Sequence, residues 1–309
     1  MNLGFFNVAG NNVPWHGVSQ ILFYTLAVLG GISIILLWIF KRPIKQHYLK
    51  HHYVLGIFTK RTFWTLFGVI SLIGMGVRSS VLVLSHFENL WESIPLHFCR
   101  LMLIFLAITV IFNKLHWIKY FGAFSIIGGI VAISSPDLNK NIGLDNFYYW
   151  DYILAHLYVL VLPAVIYVLA DIKYTFKDTL VTFAVMLSLT TMMFFINWAI
   201  DSSNSVDLSW KSNYFYLGFD KYNSQSKLIP YILQWPFNYV TLTLSLTIYM
   251  TIYISIWCIQ DKVYFAREES GWVFKWRKSK MWKKYKKSIH EFWLLLLKKS
   301  LKEKNRTNV

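Results

Sequence analysis

The sequence predicts an all-α fold, a polytopic membrane helical bundle of about seven transmembrane helices. Three observations support this prediction. Hydrophobic residues make up 56% of the 309 residues and charged residues only 15%, a balance that soluble globular domains do not show. Seven apolar runs are long enough to cross a bilayer, and the basic residues lie between these runs or after the last one. We therefore expect a seven-helix transmembrane domain over residues 1–260 and a basic amphipathic cytoplasmic tail over 261–309.

The apolar runs give the positions of the spans, because about 20 apolar residues cover a hydrocarbon core of roughly 30 Å. The predicted spans are 18–40, 62–85, 94–112, 118–135, 152–170, 178–200 and 231–258. Cytoplasmic loops carry an excess of Lys and Arg, and here the loops after the first, third and fifth runs are the basic ones. The sequence thus predicts a multi-pass protein of the cell membrane with its N-terminus outside and its C-terminus inside.

The formal net charge of +16 is concentrated in the connections and in the tail. Over residues 272–306, Lys and Arg alternate with Trp, Tyr and Leu, a pattern typical of a helix that lies in the membrane interface and is attracted to anionic headgroups. A helix that binds a protein partner and a disordered tail are the alternatives. Because the charge does not cover a soluble surface, we predict membrane lipids as partners and exclude nucleic acid.

Several classes of site are absent from the sequence. No Gly-rich phosphate loop or nucleotide motif occurs, which excludes transport driven by an ATPase within the chain. No His or Cys spacing typical of a metal site occurs, and we predict neither a metal nor another cofactor. Cys99 and Cys258 both lie inside apolar runs, where a disulfide framework is not expected.

Polar residues within the apolar runs gather at the predicted outer end of the bundle. A charged side chain in hydrocarbon costs at least about 2.5 kcal/mol, so each one calls for a partner or a function. Arg78 and Arg100 lie about two turns inside the outer ends of the second and third runs. His97 shares a helical face with Arg100, and Tyr152 and His156 are four residues apart on another helix. The candidate residues of this cluster are Arg78, His97, Arg100, Asp137, Asp151, His156, Asn197, Asn213 and Tyr214.

The flanks of the runs predict two further features of the outer end. Pro95 suits the first turn of the third helix, and Glu92 just before it favours the positive N-terminal end of that helix. Aromatic residues at the ends of the runs are typical of an interfacial belt. The predicted belt contains Trp91, Tyr148, Tyr149, Trp150 and Trp198.

Several short motifs occur in an order and spacing that together indicate a family. They are Pro95-Leu-His97-Phe-Cys99, Ser135-Pro-Asp137-Leu, His156 at the end of Asp-Tyr-Ile-Leu-Ala-His, Asn197, Ser212-Asn-Tyr214-Phe-Tyr-Leu and Trp235-Pro236. With these motifs, residues from about 60 to 258 resemble the YwaF-like family of bacterial integral membrane proteins. That family is distantly similar to a vertebrate transmembrane acyltransferase that acts on ether lysophospholipids.

The resemblance implies a seven-helix bundle with a polar pocket, in a bacterial plasma membrane, and acyl transfer or lipid hydrolysis by a nucleophile and a histidine. His97 and His156 align with histidines of the family pattern. In the acyltransferase the cysteine directly follows the proline, whereas here Leu96 occupies that place and the thiol is Cys99.

Two main classes of function follow. In a lipid-modifying enzyme, Arg78 and Arg100 would hold a phosphate. His156 would be the general base, His97 would support it or stabilise the oxyanion, and Cys99 or a serine would accept the acyl group. The other predicted binding residues are Asp137, Asp151, Asn197, Asn213 and Tyr214. In a transporter, receptor or lipid-binding protein, the same cluster would bind an anionic solute or headgroup without turnover. A scaffold that works through its basic tail is a third option.

Each candidate residue also has a purely structural explanation. A histidine in a helical bundle is often a hydrogen-bonded packing residue. Arg78 and Arg100 could pair with acidic residues and lock the bundle, or extend toward headgroups. Cys99 could be an inert, small apolar residue, because a nucleophilic thiol needs a base or a cation beside it. The acidic candidates for such pairing are Glu88, Asp137 and Asp151.

Overall fold

The apolar runs form helices in the computed structural model, which describes residues 4–8, 17–136, 138, 143–170, 172–219, 231–269 and 271–307, the last nine without their side chains. Seven helices in this part of the chain are long and apolar enough to cross a membrane. The α-helices, in chain order, are α1 (Val18–Ile39), α2 (Lys41–Lys50), α3 (Lys60–Leu84), α4 (Phe98–Ile111), α5 (Ile118–Ser134), α6 (Phe147–Leu169), α7 (Phe176–Ser202), α8 (Phe237–Ile259) and α9 (Lys280–Thr307). The predicted all-α polytopic bundle is confirmed, and among the described helices α2 and α9 are not candidate spans.

Following the predicted orientation, we call the end that carries residues 90–97 and 213–216 the outer end, and the end that carries the tail the basal end. At the basal end, α2 continues the chain directly after α1 and leads into a small antiparallel hairpin of β1 (Tyr53–Val54) and β2 (Phe58–Thr59). The Thr59 side chain then caps α3 by accepting a hydrogen bond from the Thr62 backbone at 3.1 Å.

Two helices begin later than predicted, and both cases involve a proline. Pro95 does not lie in the first turn of the third helix; a short 3-10 helix (Leu90–Ser93) comes first, and α4 begins only at Phe98. The last helix does not begin at residue 231 but at Phe237, directly after Pro236. The residue before Pro236 is disfavoured from helical backbone, so the last helix begins after this proline. At the third span, His97 has extended backbone and α4 follows it.

Glycines on α5 allow the central helices to approach closely. A Cβ at Gly129 would lie 2.9 Å from Leu160 Cβ and 3.1 Å from the His156 backbone oxygen, both on α6. A Cβ at Gly128 would lie 2.5 Å from the Phe98 ring and 3.4 Å from Cys99 Sγ, both on α4. The two neighbouring glycines therefore allow α4 and α6 to pack closely against neighbouring faces of α5.

The aromatic residues of the outer end are mostly core residues. Trp91, Tyr148 and Tyr149 are only 7%, 4% and 0% exposed, so the interfacial belt that the sequence predicted is wrong for these three. Tyr149 donates a hydrogen bond to the Ser19 backbone oxygen and joins α6 to α1. Trp198 is exposed, as a belt residue should be.

The tail begins with strands and not with a helix. β3 (Val263–Glu268) pairs antiparallel with β4 (Gly271–Trp276), with Val263 opposite Trp276. The predicted helix over residues 272–306 is therefore wrong for its first eight residues. Residues 272–276 lie in β4, where side chains alternate, and residues 277–279 are not helical. From Lys280 onward the tail is helical, as predicted.

Helix α9 packs on the basal end of α7. The Tyr285 and Thr179 hydroxyls are hydrogen-bonded at 3.0 Å. The Phe176 backbone N–H donates to Ser288 Oγ at 2.9 Å. Lipid anchoring by the tail and the division of the chain at residue 260 stay predictions.

Candidate functional site

Four charged side chains form a cluster at the outer end, in which both arginines are buried and both carboxylates are partly buried. Arg78 on α3 donates from Nε to Asp151 Oδ2 at 3.0 Å and from Nη2 to Glu92 Oε2 at 3.1 Å. Its Nη1 donates to the Glu92 backbone oxygen at 2.5 Å. Arg100 on α4 donates from Nη1 to Asp151 Oδ1 at 3.0 Å and from Nη2 to Asp151 Oδ2. The Tyr148 hydroxyl donates to Glu92 Oε2 at 2.9 Å.

This ion-pair cluster joins three spans, because Asp151 on α6 bonds both an arginine of α3 and an arginine of α4. Two guanidinium groups meet two carboxylates, so the four formal charges cancel. Charges inside a membrane protein are tolerated when they are paired and hydrogen-bonded in this way. The pairing of Arg78 and Arg100 with Asp151 is the structural explanation that the sequence left open.

Glu92 is a site residue whose role the sequence did not reveal. The pattern assigned it to the start of the third helix, whereas its carboxylate bonds Arg78 and Tyr148. The sequence did contain one indication of Glu92. Two arginines lie at one depth, whereas Asp151 supplies only one negative charge to pair with them. A second buried acid was needed to balance the charge.

A cavity of about 460 Å³ lies beside the ion-pair cluster. This outer cavity falls in the size range of ligand sites in proteins, roughly 300 to 1,000 Å³. Its wall is mostly apolar, with a few polar groups that converge on it. The predicted functional residues in the lining are Arg78, His97, Cys99, Arg100, His156 and Asn213. Apolar lining residues include Phe98, Ile127, Val131, Leu242 and Leu246.

His156 is buried on α6, and one hydrogen bond fixes its tautomer. Its Nδ1 lies 2.6 Å from the Tyr152 backbone oxygen, one turn earlier on the same helix. A carbonyl oxygen only accepts, so Nδ1 must carry the proton. In the neutral imidazole Nε2 then has the lone pair, which is the form that a general base requires.

His97 and Cys99 lie at the start of α4, the helix that packs against Gly128. His97 is the residue before the helix and has extended backbone, so it does not share a helical face with Arg100 as predicted. Its ring contacts Trp91 and Tyr216 edge-on, with centroids 5.9 and 5.2 Å apart. Cys99 is buried and is a free thiol. Both residues, together with His156, border the outer cavity.

The loop after α7 covers the outer cavity, and a buried side chain of α7 helps to hold it. Asn197 donates from Nδ2 to the Tyr214 backbone oxygen at 2.8 Å. Its Oδ1 accepts from Ser212 Oγ at 2.8 Å and from the Tyr214 backbone N–H at 3.0 Å. The Tyr214 hydroxyl donates to the Trp91 backbone oxygen at 2.9 Å. Asn197 and Tyr214 are therefore positioned to hold the loop and do not line the cavity.

Two residues of this loop adopt left-handed backbone. Phe215 and Tyr216 have φ values of 58° and 59°, which are costly for side chains of this size. The conformation turns both rings onto the start of α4. Phe215 contacts the Phe98 ring at 4.9 Å between centroids, and Tyr216 contacts His97. Such strained backbone persists only where the surrounding contacts hold it in place. Here the strained residues form the roof of the cavity.

The remaining predicted residues are placed as follows. Asp151 belongs to the ion-pair cluster and is not in the cavity lining. Asn213 lines the cavity, and its Oδ1 accepts a hydrogen bond from the Gly218 backbone at 2.9 Å. Asp137 lies outside the described residues. Within the described ranges, no group of three or more His, Cys, Asp or Glu residues could hold a metal ion.

Comparison with known families supplies the identification. A model of the TMEM164 family, a transmembrane-protein family, matches residues 14–254. The chain belongs to the TMEM164 family. The TMEM164 match takes in the whole lining of the outer cavity, and the hairpin β3–β4 and helix α9 lie beyond it. The chain is thus a multi-pass membrane protein. Neither a curated protein nor a solved structure matched it.

Proposed function

We propose that the chain is a lipid-modifying enzyme, an acyltransferase or a lipid hydrolase, that works at the outer cavity. One observation carries the proposal: a thiol and two histidines, Cys99, His97 and His156, border a single, largely apolar cavity within the membrane-spanning bundle. The resemblance to the YwaF-like family supports the same chemistry and a bacterial plasma membrane as the location. An apolar wall suits the acyl chain of a lipid substrate.

The first half-reaction moves an acyl group from a phospholipid to the protein. His156 Nε2 takes the proton of Cys99 Sγ, and the sulfur attacks the ester carbonyl. The bond from that carbon to the glycerol oxygen breaks, so a thioester forms on Cys99. The departing oxygen takes the proton from His156, and a lysophospholipid leaves.

The second half-reaction restores the thiol. The hydroxyl of an acceptor lysophospholipid gives its proton to His156 and attacks the thioester. The carbon–sulfur bond breaks, and Cys99 Sγ takes the proton back from His156. The product is a new phospholipid; with water as the acceptor it is a fatty acid, and the enzyme is then a hydrolase.

The other lining residues are assigned to binding. His97 would stabilise the negative charge on the carbonyl oxygen or support His156. Each guanidinium group has five N–H donors. Arg78 and Arg100 can therefore contact a headgroup phosphate in addition to their carboxylate partners.

Non-catalytic binding or transport of a lipid or anion is the second candidate function. The ion-pair cluster favours it, because its arginines have a structural role that needs no reaction. In this case the cavity holds its ligand, and no acyl group is transferred to the protein.

The test is the mass of the protein after brief incubation with phospholipid in detergent micelles. We expect wild-type protein to gain the mass of one acyl chain, and hydroxylamine to remove it, since thioesters react with that reagent. Cys99→Ala should gain no mass and should lose turnover of phospholipid and lysophospholipid mixtures. His156→Gln should also lose turnover while the protein still folds.

The chain offers matched controls for both substitutions. Cys258 is a buried cysteine at the basal end, and His116 lies in the basal connection before α5, so Cys258→Ala and His116→Gln should keep full turnover. Turnover that survives Cys99→Ala would exclude this nucleophile. Lipid that remains bound without turnover in every variant would establish the binding function instead.

A further inference from the structure

A second cavity, of about 500 Å³, lies at the basal end and is independent of the proposed reaction. It is bordered by the ends of α1 and α8, by α6, and by the start of α9; we call it the basal pocket. Its cationic lining residues are Lys41, Arg42, Lys45, Lys173, Arg277, Lys280 and Lys284. Among the residues that the structure describes, the lining contains a single acidic residue, Asp261.

The carboxylate of Asp261 is committed to holding the tail. Its Oδ2 accepts from the Lys280 backbone at 2.9 Å and from Arg277 Nη2 at 3.3 Å. Its Oδ1 accepts from the Ser279 hydroxyl. Asp261 therefore stabilises the first turn of α9 and neutralises one guanidinium group. The described lining therefore has more cationic than acidic side chains.

Contacts between distant parts of the chain hold the basic groups together. Lys41 donates from Nζ to the backbone oxygens of Gln260 at 2.6 Å and Val263 at 2.8 Å. The Arg42 guanidinium carbon lies 3.2 Å from the centre of the Tyr264 ring, and that of Arg277 lies 5.4 Å from it. One tyrosine of the hairpin thus holds two guanidinium groups at the pocket through cation–π contacts.

The inner part of the basal pocket is apolar and opens sideways. Ile34, Ile126 and Ala164 border it within the bundle. Ile35 on α1 and Ile256 on α8 also border it, and these are 54% and 52% exposed. On a membrane span, exposed apolar side chains face lipid. The pocket therefore joins a cationic rim to an apolar cleft that a hydrocarbon chain can enter from the bilayer.

We propose that the basal pocket binds one anionic phospholipid, with its phosphate among the lysine and arginine side chains and an acyl chain between α1 and α8. Basic pockets between spans on the cytoplasmic side are the kind of site that anionic headgroups occupy. A free phosphate would satisfy the same cations but would leave the apolar cleft empty.

Gln260 suggests which headgroup to test. It is buried in the pocket lining, and within the described residues its Oε1 accepts no hydrogen bond. A headgroup hydroxyl could donate to this oxygen. Phosphatidylglycerol combines a phosphate with hydroxyl groups, and it is the probe that we choose.

The experiment counts lipids bound to purified full-length protein by native mass spectrometry during titration with phosphatidylglycerol, phosphatidylcholine or inorganic phosphate. We expect the double variant Lys280→Gln/Lys284→Gln to weaken phosphatidylglycerol binding about tenfold or more. The double variant Lys283→Gln/Lys286→Gln removes the same charge from exposed positions of α9 outside the pocket. It should weaken binding by less than about threefold. Lipid bound in the outer cavity is a constant background, since none of these lysines lines that cavity.

A third variant separates a lipid from a free anion. Ala164→Leu fills the apolar cleft and leaves every cation in place. It should weaken phosphatidylglycerol binding and leave phosphate binding unchanged. Equal effects of the two double variants, equal binding of phosphatidylcholine, or phosphate binding as tight as that of phosphatidylglycerol would each overturn the proposal. Size-exclusion chromatography of each variant checks that it is folded.

Discussion

The outer cavity and the basal pocket use the same kind of residue in opposite ways. At the outer end, the Arg78 and Arg100 side chains are buried and each bonds a carboxylate, so the cluster has no net charge. At the basal end, the described part of the chain borders one pocket with seven cationic side chains and one carboxylate. A balanced cluster fixes the helices relative to one another, whereas an excess of one charge at the rim attracts a ligand of the opposite charge.

The strongest test of this difference is removal of Asp151. Asp151→Ala leaves both Arg78 and Arg100 buried without their shared carboxylate, a change that costs about 3–5 kcal/mol when a buried pair is broken. We expect a large fall in the melting temperature in detergent, or failure to accumulate folded protein. Glu268→Ala breaks an exposed ion pair with Lys275 in the hairpin and should change the melting temperature little. An unchanged melting temperature in Asp151→Ala would mean that the cluster does not hold the spans together.

A smaller effect should follow from removal of Asn197, which holds the cavity roof. Asn197→Ala leaves the Ser212 hydroxyl and both backbone groups of Tyr214 without their partner, at about 1–3 kcal/mol for an unsatisfied buried group. We expect a moderate loss of thermal stability and, because the roof is displaced, reduced lipid turnover or binding at the outer cavity. Asn89→Ala is the control, since the Asn89 side chain makes no capping bond at the same end of the bundle. Normal turnover in Asn197→Ala would show that the roof is not needed.

The smallest effect is a dependence of stability on pH at the basal pocket. Burial and, second, the neighbouring Arg42 lower the pKa of Lys41 to about 8, from the ordinary lysine value of 10.5. Between these two pH values the unfolded chain binds more protons at this lysine than the folded chain does, so stability should rise with pH. Lys41→Met should remove that part of the rise in melting temperature between pH 8 and 10. Lys50→Met should keep it, and equal curves for the two variants would contradict the assignment.

The sequence predicted the spans and much of the ion-pair cluster for simple physical reasons. A run of about 20 apolar residues has few alternatives to a membrane span. Arg78, Arg100 and Asp151 were recognisable because a charge within such a run needs a partner, and the order of the spans placed all three at one depth. Which acid each arginine contacts depended on the packing of α3, α4 and α6 and could not be read from spacing.

Other features could not be predicted because their residues fit two patterns equally well. Trp272, Phe274 and Trp276 alternate with other residues in β4, but aromatic residues interleaved with lysines also suit an interfacial helix. Tyr148 looked like a belt residue because it lies near the end of a run, and only the fold shows it bonded to Glu92. The roles of Cys99, His97 and His156 stay predictions, although the three residues border one cavity.

The bond from Lys41 to the backbone of Gln260 also sets an order of events during synthesis. The two residues are 219 positions apart in the chain. At typical rates of 5–20 residues per second, Lys41 is made roughly 10 to 45 seconds before its acceptor exists. The end of α1 therefore lacks this contact until α8, the seventh span, has been inserted. Closure of the basal end is a late step of assembly, and a ribosome that stops before residue 260 would leave the bundle unclosed.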